Sequence, residues 1–118
     1  MFSRYFKTED QKINTHSGSN SVSRVAAYGA GIMMREEVFA KAGTVVPMHG
    51  HYHEQICYIT RGSAKIIFED GKEVVLSAGE AAYFGPYEKH SVVMLEDDTA
   101  VMDAFTPIRV DHLEAKDN

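Results

Sequence analysis

The chain lacks the features that mark several common classes of protein. Its single cysteine, Cys57, cannot form an internal disulfide, which is consistent with a reducing compartment. No apolar run approaches membrane-spanning length, and the N-terminus has no uninterrupted apolar segment of the kind found in signal peptides. The sequence therefore predicts a cytoplasmic protein.

Clusters of positive charge are also missing. The formal net charge is −5, and the 12 lysine and arginine residues are scattered singly along the chain. This pattern argues against nucleic acid and against anionic membrane surfaces as partners, so small molecules and proteins remain. A chain of 118 residues with 44% hydrophobic content can bury one modest core. We expect one domain, which oligomerisation would help to stabilise.

Repeats, low-complexity tracts and amphipathic helices are absent, and short apolar stretches alternate with turn signals instead. The pattern predicts strands over residues 23–28, 32–40, 56–60, 64–69, 72–76, 81–84, 90–95 and 99–105. Asp70-Gly71 is typical of a hairpin turn, and the polar segment 7–21 is expected to be a loose arm or linker after a short first strand. About nine short strands at this spacing indicate a β-barrel or sandwich.

Histidines are concentrated in the stretch from Gly43 to Gly62. His49 and His51 lie two residues apart, a spacing that puts both rings on one face of an extended strand, and Gln55 falls on the same parity. Imidazole is the most common ligand of first-row transition metals, and His90 is a further candidate downstream. A site with these four ligands would leave coordination positions open for chemistry. The sequence therefore predicts a metal-dependent enzyme.

This stretch resembles the first conserved motif of the cupin superfamily. The motif spaces a glycine, a His-x-His pair, a glutamate and a second glycine, and Gly43, His49, His51, Gln55 and Gly62 match every interval. The resemblance implies an all-β cupin-type double-stranded β-helix, or jelly-roll barrel. It would comprise an N-terminal strand or arm over 1–21, a barrel over 22–110 and a tail over 111–118. Gln55 replaces the usual glutamate, so the metal would be bound more weakly but would be a stronger Lewis acid.

The second cupin motif corresponds to residues 79–90 and is less well kept. His90 is in place. Gly85 stands where a proline is usual, Tyr87 where a glycine is usual, and Met94, just beyond, where an asparagine is common. The resemblance implies that His90 completes the ligand set with His49, His51 and Gln55.

The end of the chain supports a narrower resemblance. The segment Asp103-Ala-Phe-Thr-Pro-Ile-Arg109-Val-Asp is similar to the closing segment of small pectin- and alginate-pathway cupins that convert 4,5-unsaturated uronates to linear keto forms. It implies that Asp103, Phe105 and Arg109 line the active site. It also implies a sugar-acid substrate and a homodimer.

The residues themselves agree with these roles. Asp103 shares a strand face with Val101 and Phe105, and a carboxylate between apolar neighbours suits proton transfer or metal binding. Arg109 could hold a substrate carboxylate with its planar fork, while Phe105 packs against the sugar ring. Three imidazoles and an amide accept nickel, manganese, iron, cobalt or zinc.

Other interpretations of the same residues stay open. The site could belong to an iron, copper or nickel dioxygenase with a more apolar pocket, or the chain could bind a small molecule without catalysis. Gln55 could hydrogen-bond a ligand rather than bind the metal, and Arg109 could form a surface salt bridge.

Six further residues are expected to play smaller parts. His53 is expected outside the ligand set, in contact with solvent or a ligand, and His16 and His112 are expected to be exposed. Cys57 is predicted to be an unreactive buried thiol. Tyr58 and Tyr83 are predicted to lie in the core or the pocket wall.

Overall fold

The computed structural model describes residues 2–113 and is built from ten strands in two antiparallel sheets. This arrangement confirms the predicted all-β jelly-roll barrel. The strands are β1 (Ile13–His16), β2 (Ser21–Tyr28), β3 (Met33–Phe39), β4 (Val45–His49), β5 (Glu54–Arg61), β6 (Ser63–Phe68), β7 (Glu73–Ser77), β8 (Ala81–Phe84), β9 (His90–Met94) and β10 (Thr99–Thr106). Two 3-10 helices flank them, at Thr8–Asp10 and Val110–Leu113.

The chain crosses repeatedly between the two sheets. One sheet has six strands in the order β1-β2-β3-β10-β5-β8, and the other has four in the order β4-β9-β6-β7. From β3 onward, every connection except the β6–β7 hairpin passes from one sheet to the other. Strands β10 and β9, which carry several of the candidate site residues, are interior strands of their sheets with hydrogen-bonded neighbours on both sides.

Alternating burial along the strands builds the core. In β3, for example, Met33, Arg35, Glu37 and Phe39 point inward while the residues between them point outward. The larger apolar cluster includes Phe39, Ile59, Ile66, Phe84 and Met94. A second, smaller cluster consists of Val25, Met33 and Phe105. Full burial of each large apolar side chain contributes about 1.5–3 kcal/mol.

Gly62 makes the sharp passage from β5 to β6. Its φ is +81°, and a Cβ built there would lie 2.5 Å from Oγ1 of Thr99. Both facts favour glycine, because the left-handed region disfavours side chains and the neighbouring strand leaves no space for one. The predicted turn at Asp70-Gly71 is also confirmed, since Gly71 has a φ of +90° between the paired strands β6 and β7.

The prediction of a loose arm over 7–21 is wrong. The 3-10 helix Thr8–Asp10 and strand β1 occupy this segment, β1 pairs with β2, and residues 2–6 contain no strand. Asn14 explains why the pattern was missed, since the one side chain that β1 fully buries is polar and donates to the carbonyl of His112 at 3.1 Å. Of the predicted tail over 111–118, residues 111–113 belong to the second 3-10 helix and 114–118 lie outside the described residues.

Tyr58 and Tyr83 do not lie in the core or the pocket wall as predicted. They are 43% and 54% exposed on the outer face of the six-stranded sheet. Strand parity explains the result, because Cys57 and Ile59 take the inward positions of β5, and Ala82 and Phe84 take those of β8. Among the described residues, no helix has the length and apolar character needed to cross a bilayer.

Candidate metal centre and catalytic cavity

Three histidines converge at one end of the barrel. His49 on β4 and His90 on β9 are cross-strand partners, and His51 follows from the loop after Gly50. One ring nitrogen of each lies within 4.8 Å of the other two. The ring of Phe84 stacks on that of His90, with centroids 3.7 Å apart and planes 2° from parallel, which fixes the orientation of His90.

Backbone carbonyls set the tautomers of these histidines. Nδ1 of His49, His51 and His90 lies 2.8 to 3.0 Å from the carbonyl oxygens of Pro47, His53 and Glu88. Since a carbonyl oxygen can only accept, each Nδ1 carries the hydrogen. The Nε2 lone pairs of the neutral rings are then available to a metal, an orientation typical of metal-binding histidines.

Gln55 on β5 adds an oxygen to this group. Its Oε1 lies 2.9 Å from Nε2 of His51, so two acceptor atoms face each other. The opposite amide orientation is disfavoured because Nε2 of Gln55 donates to Asp103 Oδ1 at 2.9 Å. The two lone pairs repel each other at this distance, and a cation bound to both atoms would remove the repulsion. The donor set of three imidazoles and an amide oxygen therefore fits a divalent transition metal.

Burial keeps His51 and His90 in the neutral form that a metal requires. Burial lowers the pKa of His90 from 6.5 to about 4, with smaller contributions from the neighbouring histidines. Burial also lowers the pKa of His51, although the Gln55 oxygen beside its ring opposes the shift. Because metal ligation needs neutral imidazole, the site is ready for a metal at neutral pH.

The loop around Tyr87 supports the His-x-His segment. A Cβ on Gly50 would lie 2.9 Å from the carbonyl oxygen of Tyr87, so glycine permits this close approach. Tyr87 donates its N–H to the carbonyl of His51 at 2.7 Å and has a φ of +61°. The substitution of tyrosine for the usual glycine therefore keeps the backbone conformation that glycine favours.

Asp103 connects to the histidines through Gln55. It lies on β10 and is 5% exposed. Burial raises the pKa of its carboxyl from 3.8 to about 6, although Arg35 and the Gln55 amide oppose the shift. Cys57, its cross-strand neighbour, is buried as predicted, and burial beside this carboxylate raises the pKa of the thiol well above its ordinary value. Asp103 can therefore exchange a proton near neutral pH, whereas Cys57 stays a thiol.

Phe105 and Arg109 lie next to this group. The guanidinium carbon of Arg109 is 5.3 Å from the centroid of the Phe105 ring. Arg109 also donates to both carboxylate oxygens of Asp111, at 3.3 and 3.1 Å, while its side chain is 21% exposed. Arg109 therefore lines the cavity and also forms a salt bridge with Asp111, although the sequence alone left these as alternatives.

A cavity of about 210 Å³ is lined by all the predicted site residues except His51, which lies beside it in the group of three histidines. Its lining includes His49, Gln55, His90, Asp103, Phe105 and Arg109, with apolar side chains of the core such as Val92 and Met94. Apolar walls with a few convergent polar groups are typical of small-molecule sites.

Two histidines lie elsewhere than predicted. His112 lines the cavity with its side chain 13% exposed, and burial together with two arginines lowers its pKa to about 3. The 3-10 helix Val110–Leu113, which carries His112, contacts β1, where Asn14 donates to the carbonyl of His112. His16 is half-buried, 2.9 Å from Oγ of Ser23. His53 lies outside the group of three histidines, and its Nε2–H donates to the carbonyl of Ile108 at 3.2 Å.

Arg35 and Glu37 are the cavity residues that sequence reasoning missed. Both are inward-facing residues of β3, and both line the cavity. A signal was present, because strict alternation puts them on the same face as Met33 and Phe39. Two charges on a predicted core face mark a polar site inside the barrel.

Comparison with known proteins places the chain in a family. Residues 36–106 match the Cupin domain family. The pectin degradation protein KdgF of Dickeya dadantii (strain 3937) is 31% identical over 110 residues, which span 93% of this chain and 98% of that protein. The structure of KdgF from Halomonas sp. has a TM-score of 0.80 at 28% identity, covering 91% of this chain and 97% of that one. An RmlC-like cupin from Shewanella frigidimarina NCIMB 400 shares the fold, with a TM-score of 0.80 at 24% identity over 92% of this chain and 95% of that one. The chain belongs to the cupin family.

Proposed function

We propose that this protein catalyses the metal-dependent conversion of a 4,5-unsaturated uronate monosaccharide to its linear keto form. His49, His51, Gln55 and His90 would hold the metal. Asp103 would transfer the proton, and Arg109 and Phe105 would bind the substrate. The similarity to pectin degradation proteins and the acidic sugar products of that process support this choice of substrate.

The observation that carries the proposal is the continuous contact from the histidines to Asp103. Oε1 of Gln55 lies 2.9 Å from His51, and its Nε2 donates to Asp103 at 2.9 Å. One amide therefore holds a buried carboxyl beside the candidate metal centre. Proton transfer at an atom adjacent to that centre is the chemistry this geometry suits.

The reaction is an isomerisation that needs no oxidant or reductant. The hemiacetal hydroxyl loses its proton, the bond between C1 and the ring oxygen breaks, and C1 becomes an aldehyde. The released oxygen takes a proton as an enol, which then loses that proton while C4 gains one to leave a ketone at C5. A carboxyl whose pKa is about 6 can accept the proton from oxygen and return one to carbon near neutral pH.

The remaining residues bind and orient the substrate. A divalent metal, when bound, would supply Lewis-acid polarisation of a sugar oxygen. Arg109 would present its fork to the substrate carboxylate, in part exchanging its contact with Asp111. Phe105, 2% exposed, would form the wall against which the ring packs. The charged lining of the cavity suits a sugar acid better than the apolar substrate expected of a dioxygenase.

The reaction can be followed by proton NMR in D2O with the metal-loaded protein. We expect the vinylic C4–H signal of the unsaturated uronate to disappear faster than in buffer alone. The linear product should carry one deuterium at C4, on a single face if a positioned carboxyl delivers it. Loss at the buffer rate, with metal shown to be bound, would refute the proposed function.

A further inference from the structure

Arg35 and Glu37 are buried charges to which the proposed reaction gives no role. Their side chains are 9% and 11% exposed, and Nη2 of Arg35 lies 2.9 Å from Oε1 of Glu37. Oγ of Ser21 donates to the other Glu37 oxygen at 2.5 Å. Both carboxylate oxygens of Glu37 therefore have a partner. A buried ion pair contributes little net stability compared with apolar residues of similar size, so its presence in a small core calls for another reason.

Arg35, in contrast, keeps unused donors beside the cavity. Its Nη2 is engaged by Glu37 and lies 3.4 Å from Nε2 of His16. Its Nη1 is 3.7 Å from Oδ2 of Asp103, which is an ion-pair distance and too long for a hydrogen bond. Within residues 2–113, its buried Nε has no hydrogen-bond partner. A buried donor without a partner is costly, so the contacts of the described residues do not account for the position of this guanidinium.

Strand register places this guanidinium next to the proton-transfer group. Arg35 on β3 and Asp103 on β10 are direct cross-strand partners, and both line the cavity. Gln55 holds Oδ1 of Asp103, so Arg35 flanks the other carboxylate oxygen. Arg109, the second guanidinium of the cavity, lies against the Phe105 ring and is neutralised by Asp111.

We propose that Arg35 is a second substrate-binding residue, which donates to a hydroxyl or carboxylate oxygen next to the sugar carbon that Asp103 protonates. Glu37 is its positioning residue, and it holds the guanidinium with the unused donors toward the cavity. The two arginines then bind oxygens on either side of the reacting carbon. This inference rests on the proposed function for the identity of the substrate, a uronate monosaccharide.

The test removes the inner pair as a unit. A single substitution would leave one charge buried alone and could unfold the protein, so the variant is Arg35→Met with Glu37→Leu. The chain provides a matched control in Arg24→Met with Glu36→Leu. This pair joins β2 and β3 on the outer face, 4.0 Å apart and about one third exposed. Metal content and melting temperature establish that both variants are folded and loaded.

We expect the inner variant to raise KM for the unsaturated uronate about tenfold or more, with a smaller change in kcat, because a charged hydrogen bond to the substrate is lost. The outer variant should match the wild type. Arg35→Lys, which keeps the charge without the fork, should fall between them. An unchanged KM in the folded, loaded inner variant would overturn the proposal and leave the pair a purely structural role.

Binding of galacturonate, a saturated uronate that cannot react, separates this inference from the proposed reaction. Calorimetric titration should give about tenfold weaker binding to the inner variant than to the wild type and the outer variant, whether or not the wild type turns over the unsaturated sugar. Equal affinity for the three proteins, or no binding to the wild type, would contradict a uronate-binding role for Arg35.

Discussion

Gln55 is the residue on which the candidate site depends most, because it contacts both halves of it. Its oxygen faces the histidines and its nitrogen holds Asp103. A glutamate at this position would place a second carboxylate against Asp103 and could not donate to it. The neutral amide therefore suits a site that needs an acidic group at a fixed distance from the metal.

His51 tests the ligand assignment. His51→Ala should lower metal affinity by more than the 10- to 100-fold that typically follows loss of an outer hydrogen-bond partner, and should abolish turnover. Elemental analysis of the purified protein measures this. His53→Ala is the matched control, since His53 lies outside the group of three histidines and its loss should leave the metal in place. Stoichiometric metal in His51→Ala would refute the assignment.

Asp103 tests the proton-transfer assignment. Asp103→Asn keeps the size of the side chain but cannot exchange a proton. We expect metal content to be unchanged and kcat to fall about 100- to 10,000-fold, with a smaller effect on KM. Steady-state kinetics at neutral pH measure both constants, and wild-type turnover would return Asp103 to a structural role.

Spacing and parity predicted some of these positions, and tertiary contacts determined the others. The intervals between His49, His51 and Gln55 predicted that their side chains converge, which the structure confirms. Alternation along β10 predicted that Asp103 and Phe105 face inward, and both are buried. The role of each residue in metal binding or catalysis stays a prediction.

Alternation along β3 also marks Arg35 and Glu37 as inward-facing, but it could not place them or His112 in the cavity. Their place in the cavity depends on the pairing of β3 with β10 and on the return of the C-terminal turn. Neither feature leaves a local pattern in the sequence.

The passage between β5 and β6 is one of the connections that join the two sheets. Gly62 and Gly71 both have positive φ, but only Gly62 has no room for a side chain, because its Cβ would approach Thr99. Gly71→Ala should cost about 1–2 kcal/mol for the backbone conformation alone. Gly62→Ala should cost about 1–3 kcal/mol more from the steric clash. Urea unfolding of both variants gives the difference, and equal losses would contradict the close contact.

Two hydrogen bonds hold the segment after β10 against the rest of the barrel. Asn14 of β1 holds the carbonyl of His112, and His53 holds that of Ile108. These two bonds fix the segment that carries Arg109. Sequence patterns predicted eight of the ten strands because their apolar residues alternate or run together, but they missed β1 and β4. The one side chain that β1 buries is polar, and β4 is largely exposed.

The whole metal-free protein should lose stability on acidification. The folded-state pKa values of His90 and His112, about 4 and about 3, lie below the ordinary 6.5. Between pH 6.5 and 4 the unfolded chain therefore binds two protons that the folded protein does not, and the free energy of unfolding falls. Asp103 has the opposite effect on stability below about pH 6, because its pKa is raised in the folded state. The combined effect of His90 and His112 is larger than the effect of this single group.

We therefore expect the melting temperature of the chelator-treated protein to be several degrees lower at pH 5 than at pH 7. His112→Asn removes one of the two histidines and should reduce this drop. Calorimetric scans at constant ionic strength measure both proteins. A drop of the same size in His112→Asn would contradict the contribution assigned to its burial.

Three predictions about the whole molecule keep that status: a single domain over 1–118, a homodimer and a cytoplasmic location. The exposed apolar side chains on the outer face of the six-stranded sheet, among them Met34, Ile56, Tyr58 and Tyr83, support the homodimer. Strand pairing brings Ile56 beside Tyr83 on this face, and contiguous exposed apolar side chains are typical of interaction sites.

The most direct test of the account is the ultraviolet absorbance of the conjugated double bond of a 4,5-unsaturated uronate after the metal-loaded protein is added. We predict loss of absorbance well above the spontaneous rate, its suppression by a chelator, and its recovery when a divalent transition metal is restored. Loss at the spontaneous rate by a protein with bound metal, or loss unaffected by complete metal removal, would contradict the central claim.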